Sequence, residues 1–262
     1  MKRLSLIGKI VLLFAFTLAF HAGAQNVNLK TRSTQIGIDN TGHFSSIRVE
    51  GKDILHAGKY PLVTVCADNK LITPTKMTAS GNQLKLTMSD GGTITLKQKE
   101  SDVCITLEAT NVPDKYEVLL FGPLAVNIHE VVGDVVGVAQ GDGLAFGIQA
   151  LNIKTNAGIP DEYGKLVTET YGYSGKSAEL SVASIPAYKL AAADISDGTV
   201  FHFSARRRNK QEYRQVQQIE KSLVLPVEGE DGPIKGAKIA FFGSKNTDAL
   251  ARIGEIEMEQ GL

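Results

Sequence analysis

A strict alternation of apolar and polar side chains around residue 90 constrains the fold of this chain most. Apolar residues of 84–88 alternate with polar ones, Ser89-Asp90-Gly91-Gly92 forms a turn signal, and the alternation resumes over 93–97. Side chains of a strand point to opposite faces in turn, so a period of two places the apolar residues on one face. The pattern predicts an antiparallel hairpin with one buried and one solvated face.

Strand-like runs recur along most of the chain. A first hairpin is predicted where residues 35–38 and 44–49 flank the turn signal Asp39-Asn40-Thr41-Gly42. From Val118 onward the runs become continuously apolar, which indicates strands buried on both faces. The predicted fold class is all-β, a large antiparallel β-sandwich of roughly a dozen or more strands.

Two segments depart from this strand pattern. Residues 152–176 are polar and rich in glycine and tyrosine, so we expect a long loop of the kind that often forms a binding surface. Residues 249–258 show an approximate helical period, with Ser244 or Thr247 as the N-cap. The sandwich is therefore predicted to end with a short C-terminal helix.

The N-terminal residues predict export. Three basic residues precede the apolar run 10–20, and Ala22 and Ala24 suit cleavage before Gln25. That run is shorter than the roughly 20 residues that a spanning helix needs, so we predict no membrane span. We expect a signal peptide over 1–24, a β-sandwich over 25–243 and a helical connector over 244–262, in a periplasmic, cell-surface or extracellular protein.

The net charge of the chain limits the kinds of partner that we expect. Residues 1–24 hold three of the 28 basic residues and none of the 28 acidic ones, so the remainder carries a net charge of about −3. Nucleic acid is not a predicted partner at this balance, and the basic cluster 206–210 is interpreted as a solvated strand end or loop.

Cys66 and Cys104 could form a disulfide or remain two buried thiols.

The residue patterns leave catalytic residues unassigned. His129-Glu130 is an acid/base candidate by residue type, with a partly exposed strand end as the alternative. The histidines lack the close spacing of a metal site, and turn chemistry accounts for the oxygen-rich segments Asp39–Gly42 and Asp194–Gly198. We predict neither a metal nor another cofactor.

The tyrosines of the chain are candidates for sugar binding. Such surfaces combine aromatic rings with polar rims, and because the chain has no Trp, tyrosines would have to supply the rings. The alternative for these tyrosines is packing over the sheet. The candidate carbohydrate-binding residues are Tyr163, Tyr171, Tyr173, His129 and Glu130, with Tyr188 as a further tyrosine.

Two segments resemble galactose-mutarotase-like sandwiches of exported bacterial glycoside hydrolases. Gln35–Leu55 resembles the first hairpin of those domains, and Ile239–Glu257 resembles the strand and helix that lead into a catalytic barrel; together they make up about a sixth of the chain. The resemblance implies a non-catalytic N-terminal sandwich associated with an oligo- or polysaccharide. It also implies a C-terminal catalytic domain beyond residue 262.

Two other functions fit the same residue patterns. One is a glycan-binding or adhesion protein of the cell surface. The other is a small sugar epimerase of the mutarotase type, whose spaced His, His and acid set we do not locate, although His129 and His202 are available.

Overall fold

The computed structural model of the chain describes residues 26–172, 185–207, 214–215, 223–224 and 234–261. The predicted signal peptide over 1–24 lies outside these ranges. In chain order the strands are β1 (Val27–Lys30), β2 (Thr34–Ile38), β3 (Phe44–Val49), β4 (Lys52–Asp53), β5 (Thr64–Ala67), β6 (Lys70–Ile72), β7 (Pro74–Ser80), β8 (Gln83–Met88), β9 (Thr93–Glu100), β10 (Ile105–Asn111), β11 (Val118–Val126), β12 (Val131–Gly133), β13 (Val138–Gly141), β14 (Leu144–Ala150), β15 (Asn156–Ala157), β16 (Ala192–Asp194), β17 (Thr199–Arg206), β18 (Arg214–Gln215), β19 (Leu223–Val224) and β20 (Lys238–Lys245). The helices are α1 (Asp161–Tyr171) and α2 (Ala249–Gln260).

The described strands form four sheets in which all pairings are antiparallel. The largest has eight strands in the order β12-β13-β14-β20-β10-β9-β8-β7. A six-stranded sheet runs β15-β17-β11-β5-β6, with β16 also paired to β17. A four-stranded sheet, β1 to β4, and the short pair β18–β19 complete the set. The predicted all-β class is confirmed.

The hairpin predicted from the alternation over 84–97 is β8 and β9. Leu84 lies opposite Leu96 and Leu86 opposite Ile94, and these four side chains are buried. In the turn, the Asp90 carboxylate accepts a hydrogen bond from the Gly92 N–H at 3.0 Å. The turn geometry and the burial of one apolar face therefore both favour the observed register of the β8–β9 pair.

Aromatic contacts join the three larger sheets around a shared core. Phe146 of β14 meets Phe201 of β17 edge to face, with ring centroids 5.6 Å apart. Phe44 of β3 meets Phe241 of β20 in the same way at 6.0 Å. All four rings belong to one buried cluster, so the sheets pack on one another as a sandwich.

Strand β20 is buried on both faces. Phe241 faces the shared core, whereas its neighbour Phe242 belongs to a second cluster with Ala249 and Ile256 of α2. The period of two explains this split, and α2 covers the second face of the large sheet.

The predicted C-terminal helix is present, but its expected start is corrected. Ser244 is not an N-cap, because it lies within β20, which pairs with β14 through Lys245. The helix begins at Ala249 after a 3₁₀ turn over Asn246–Asp248, without a side-chain cap. The Thr247 hydroxyl donates a hydrogen bond to the Asp248 carboxylate instead.

Within the described ranges, neither helix has the length and apolar character needed to cross a bilayer.

The loop predicted over 152–176 is wrong for residues 161–171, which form α1. Tyr163 and Val167 are buried in the shared core, and the Tyr163 hydroxyl donates to the Glu117 carboxylate at 2.8 Å. Tyr171 lies beside Thr64 of β5. Helix α1 therefore packs on the six-stranded sheet, where it helps to bury the strands that the sequence marks as apolar on both faces.

The two cysteines are buried free thiols. Cys66 lies in β5 within the shared core, and Cys104 lies beside β10 in the cluster under α2. Burial raises the pKa of the Cys66 thiol to about 12, and the Glu117 and Glu162 charges act in the same direction. This thiol therefore stays protonated and behaves as a small apolar group.

Two helical glycines allow a matched test of the α1 packing. A Cβ at Gly164 would lie 2.1 Å from the Tyr188 ring, whereas a Cβ at Gly254 has nothing within 4 Å. Ala is favoured over Gly inside a helix by about 1 kcal/mol. We expect Gly254→Ala to raise the free energy of unfolding by up to about 1 kcal/mol and Gly164→Ala to lower it by about 1–3 kcal/mol. Urea unfolding followed by circular dichroism measures both; equal stabilisation would contradict the close contact between α1 and Tyr188.

His202 makes the stability depend on pH. It is 1% exposed, its Nδ1–H donates to the Leu190 carbonyl at 3.3 Å, and burial lowers its pKa to about 4. Between about pH 6.5 and pH 4 the unfolded chain binds a proton that the native chain does not, so the free energy of unfolding falls as the pH falls. The full effect is roughly 3 kcal/mol.

Replacing His202 by Gln should remove about one proton from this linkage. Urea unfolding at several pH values between 4 and 7 gives the slope, and the variant's slope should be smaller whatever its absolute stability. The remaining slope would include His43, whose pKa burial also lowers. An unchanged slope in His202→Gln would show that His202 is not held neutral.

Candidate functional site

Three chain segments meet at one end of the six-stranded sheet. Leu55 forms an isolated bridge with Val126, and the His56 N–H donates to the Ala125 carbonyl at 3.1 Å. From the third segment, the Thr199 hydroxyl donates to the Ile128 carbonyl at 2.8 Å. Backbone and hydroxyl bonds therefore hold residues 54–60, 125–129 and 194–199 together.

The turn Asp194–Gly198 requires close backbone approach. The Asp194 carboxylate accepts from the Ser196 N–H at 2.7 Å, and the Ile195 N–H donates to the Gly198 carbonyl at 2.9 Å. A Cβ at Gly198 would lie 2.3 Å from the Val126 carbonyl oxygen. Only glycine accommodates that contact, so Gly198 sets the position of the whole turn.

Each aspartate of this turn pairs with a histidine. Asp194 Oδ1 lies 3.4 Å from His129 Nδ1, and Asp197 Oδ2 lies 3.4 Å from His56 Nε2. The other ring nitrogen of His56, Nδ1, lies 2.9 Å from the Tyr60 hydroxyl. The Tyr60 hydroxyl also donates to the Ala57 carbonyl at 3.4 Å, and the His56–Tyr60 contact leaves the other ring nitrogen, Nε2, facing Asp197.

A cleft of about 310 Å³ opens beside His56 and Asp197. Its other walls are residues 57–60, the end of α1 at 170–172, and Ile195. The volume lies at the lower end of the range of small-molecule sites.

Two tyrosines give the cleft an aromatic wall. The rings of Tyr60 and Tyr171 are stacked with centroids 6.3 Å apart and an interplanar angle of 15°. Burial raises the pKa of Tyr60 to about 12, with the Asp197 charge acting in the same direction, and burial also raises the pKa of Tyr171. Both phenols are therefore neutral at physiological pH. Tyr60 is 6% exposed, so the half-buried Tyr171 supplies most of the ring surface that is open to the cleft, beside the His56 imidazole and the Asp197 carboxylate.

The structure distributes the predicted sugar-binding residues unevenly. Tyr171 lines the cleft. Tyr163 is 1% exposed, so its ring packs under α1 and presents no face to a ligand. His129 and Glu130 lie near the three-segment junction but do not line the cleft; the Glu130 carboxylate accepts from the Asp142 N–H at 3.1 Å. Tyr173 lies outside the described residues, and the ring of Tyr188 packs against Gly164.

Sequence reasoning missed four residues of the cleft: His56, Lys59, Tyr60 and Asp197. The oxygen-rich turn that holds Asp197 was recognisable as a turn. Its partner His56 lies about 140 positions earlier in the chain, and no local pattern links the two.

A second cleft, of about 460 Å³, lies at the other end of α1. Residues 156–162, Lys189, Ser204 and Arg206 line it. Lys189 pairs with Asp161 at 2.9 Å, and Arg206 pairs with Glu162 at 2.7 Å. The interpretation of Arg206 as a strand end is confirmed, since β17 ends there, while residues 208–210 of the basic cluster lie outside the described ranges.

Among the described residues, no group of three or more His, Cys, Asp or Glu side chains could hold a metal ion.

No protein-family model matches the chain, and no curated protein matches it. Among solved structures, the chain is similar to a galactose mutarotase-related enzyme from Lactobacillus acidophilus, with 9% sequence identity and a TM-score of 0.32. That similarity covers 86% of this chain and 99% of the other.

Proposed function

We propose that this protein is a carbohydrate-binding β-sandwich and that the cleft between Tyr171 and Asp197 holds the sugar. The stacked pair Tyr60–Tyr171 beside the His56–Asp197 pair is the observation that carries the proposal. Sugar recognition needs an aromatic surface for the C–H face of a ring and polar groups for its hydroxyls. Both are present in one cleft.

The polar side of the cleft is arranged to accept hydroxyl groups. The Asp197 side chain is 59% exposed, and a carboxylate has room for several hydrogen bonds. His56 orients this carboxylate, and Tyr60 in turn orients His56. Such preorganisation lowers the ordering cost of binding.

The wider role that we propose is an accessory domain of a secreted glycoside hydrolase, exported to the periplasm, the cell surface or the medium. Its support is the resemblance of Gln35–Leu55 and Ile239–Glu257, which here form the β2–β4 meander and the β20–α2 unit. The basic and apolar pattern of residues 1–24 supports export. A surface glycan-binding protein would use the same cleft.

Tyr171 gives the sharpest test of sugar binding. Calorimetric titration with a panel of neutral and acidic oligosaccharides should detect binding to at least one of them. Tyr171→Ala should then weaken affinity about tenfold, because it removes the stacking ring. Tyr171→Phe should stay within about twofold of the parent, because the ring remains.

His129→Ala is the matched control, because it breaks the second histidine–aspartate pair of the same turn without altering the cleft lining. It should bind sugar like the parent. Circular dichroism of each variant checks that the fold is retained. Absence of binding to every sugar, or an equal loss in His129→Ala and Tyr171→Ala, would contradict the proposed site.

A further inference from the structure

The two clefts differ in how their positive charges are neutralised. In the second cleft, Lys189 and Arg206 each contact a carboxylate, at 2.9 and 2.7 Å. In the first cleft the cation is Lys59, which makes no ion pair within 4.0 Å to any other described residue. The aromatic cleft therefore presents an ammonium group that no described carboxylate contacts directly, although Asp197 lines the same cleft.

The positive charge of Lys59 acts on the neighbouring side chain of His43. Burial lowers the pKa of the nearby His43, and the positive charge of Lys59 lowers it further, against the opposite effect of Asp39. A field that reaches a neighbouring side chain would also act on an anionic ligand in the cleft.

The backbone that carries Lys59 is anchored on both sides. After it, the Phe44 N–H donates to the Tyr60 carbonyl at 2.9 Å, and Pro61 bridges to His43. Before it, Gly58 has a φ of +148°, and a Cβ there would lie 3.0 Å from the Tyr60 ring. The turn therefore packs on the aromatic wall and holds Lys59 at the edge of the cleft.

The cleft thus combines three kinds of contact. Lys59 supplies a cation, Asp197 supplies an acceptor oriented by His56, and Tyr171 supplies an aromatic surface. A sugar with ring hydroxyls and a carboxylate matches all three, whereas a neutral sugar leaves the Lys59 ammonium group without a direct ion pair.

We infer that the cleft prefers acidic sugars, with Lys59 binding the carboxylate of a uronic acid residue. This inference rests on the proposed function, since it names the class of sugar that the same cleft takes. An exposed ion pair is weak, so the preference should be about threefold to tenfold in affinity at low salt, and it should shrink as ionic strength rises.

The test compares two oligosaccharides of equal length and linkage, one made of galacturonate and one of galactose, by calorimetric titration at low and high salt. The parent protein should bind the galacturonate oligomer about threefold to tenfold more tightly at low salt. Lys59→Gln should remove that preference by weakening binding of the galacturonate oligomer about threefold to tenfold more than binding of the galactose oligomer. Lys59→Arg, which keeps the charge, should retain the preference.

Lys189→Gln is the matched control, because it removes a lysine of the second cleft, and it should keep the preference. Equal binding of both oligomers by the parent, or an equal loss for both in Lys59→Gln, would overturn the inference while leaving the proposed function standing. Binding of neither oligomer, nor of any other sugar, would overturn the proposed function together with the inference.

Discussion

The burial of β11 on both faces is the constraint on which the rest of the structure depends. All nine residues of Val118–Val126 are buried, so the six-stranded sheet must be covered on each side. Helix α1 contributes to this cover, because Tyr163 and Val167 join the shared core that buries the sheet. The length of α1 then brings Tyr171 beside Thr64 and Tyr60. The cleft wall is thus a consequence of covering an apolar sheet.

Close backbone approach at two glycines makes this arrangement possible. Gly164 lets α1 rest on the Tyr188 ring, and Gly198 lets the aspartate turn rest on the end of β11. One contact positions the helix that ends at Tyr171, and the other positions the turn that carries Asp197. The two walls of the cleft are therefore set by packing rather than by loop flexibility, which favours a preformed site.

Local patterns predicted the strands well and α1 poorly. The β8–β9 hairpin and the β2–β3 hairpin follow from alternation and turn residues, which act over a few positions. Helix α1 contains Gly164 and two threonines, all weak helix formers, so propensity indicated a loop. The signals that indicate a helix were the spacing of Tyr163, Val167 and Tyr171, with Pro160 before it and Gly172 after it. Of the cleft, Tyr171 was predictable by residue type, whereas the His56–Asp197 contact arises from tertiary pairing of distant segments.

The central claim is that ligands bind in the cleft walled by Tyr60, Tyr171 and Asp197. Its most direct test is backbone NMR of the labelled protein during titration with a galacturonate oligosaccharide. Our account predicts chemical-shift changes concentrated in residues 56–60, 170–172 and 195–197. Changes centred instead on the second cleft at 156–162, or on any other surface, would contradict it.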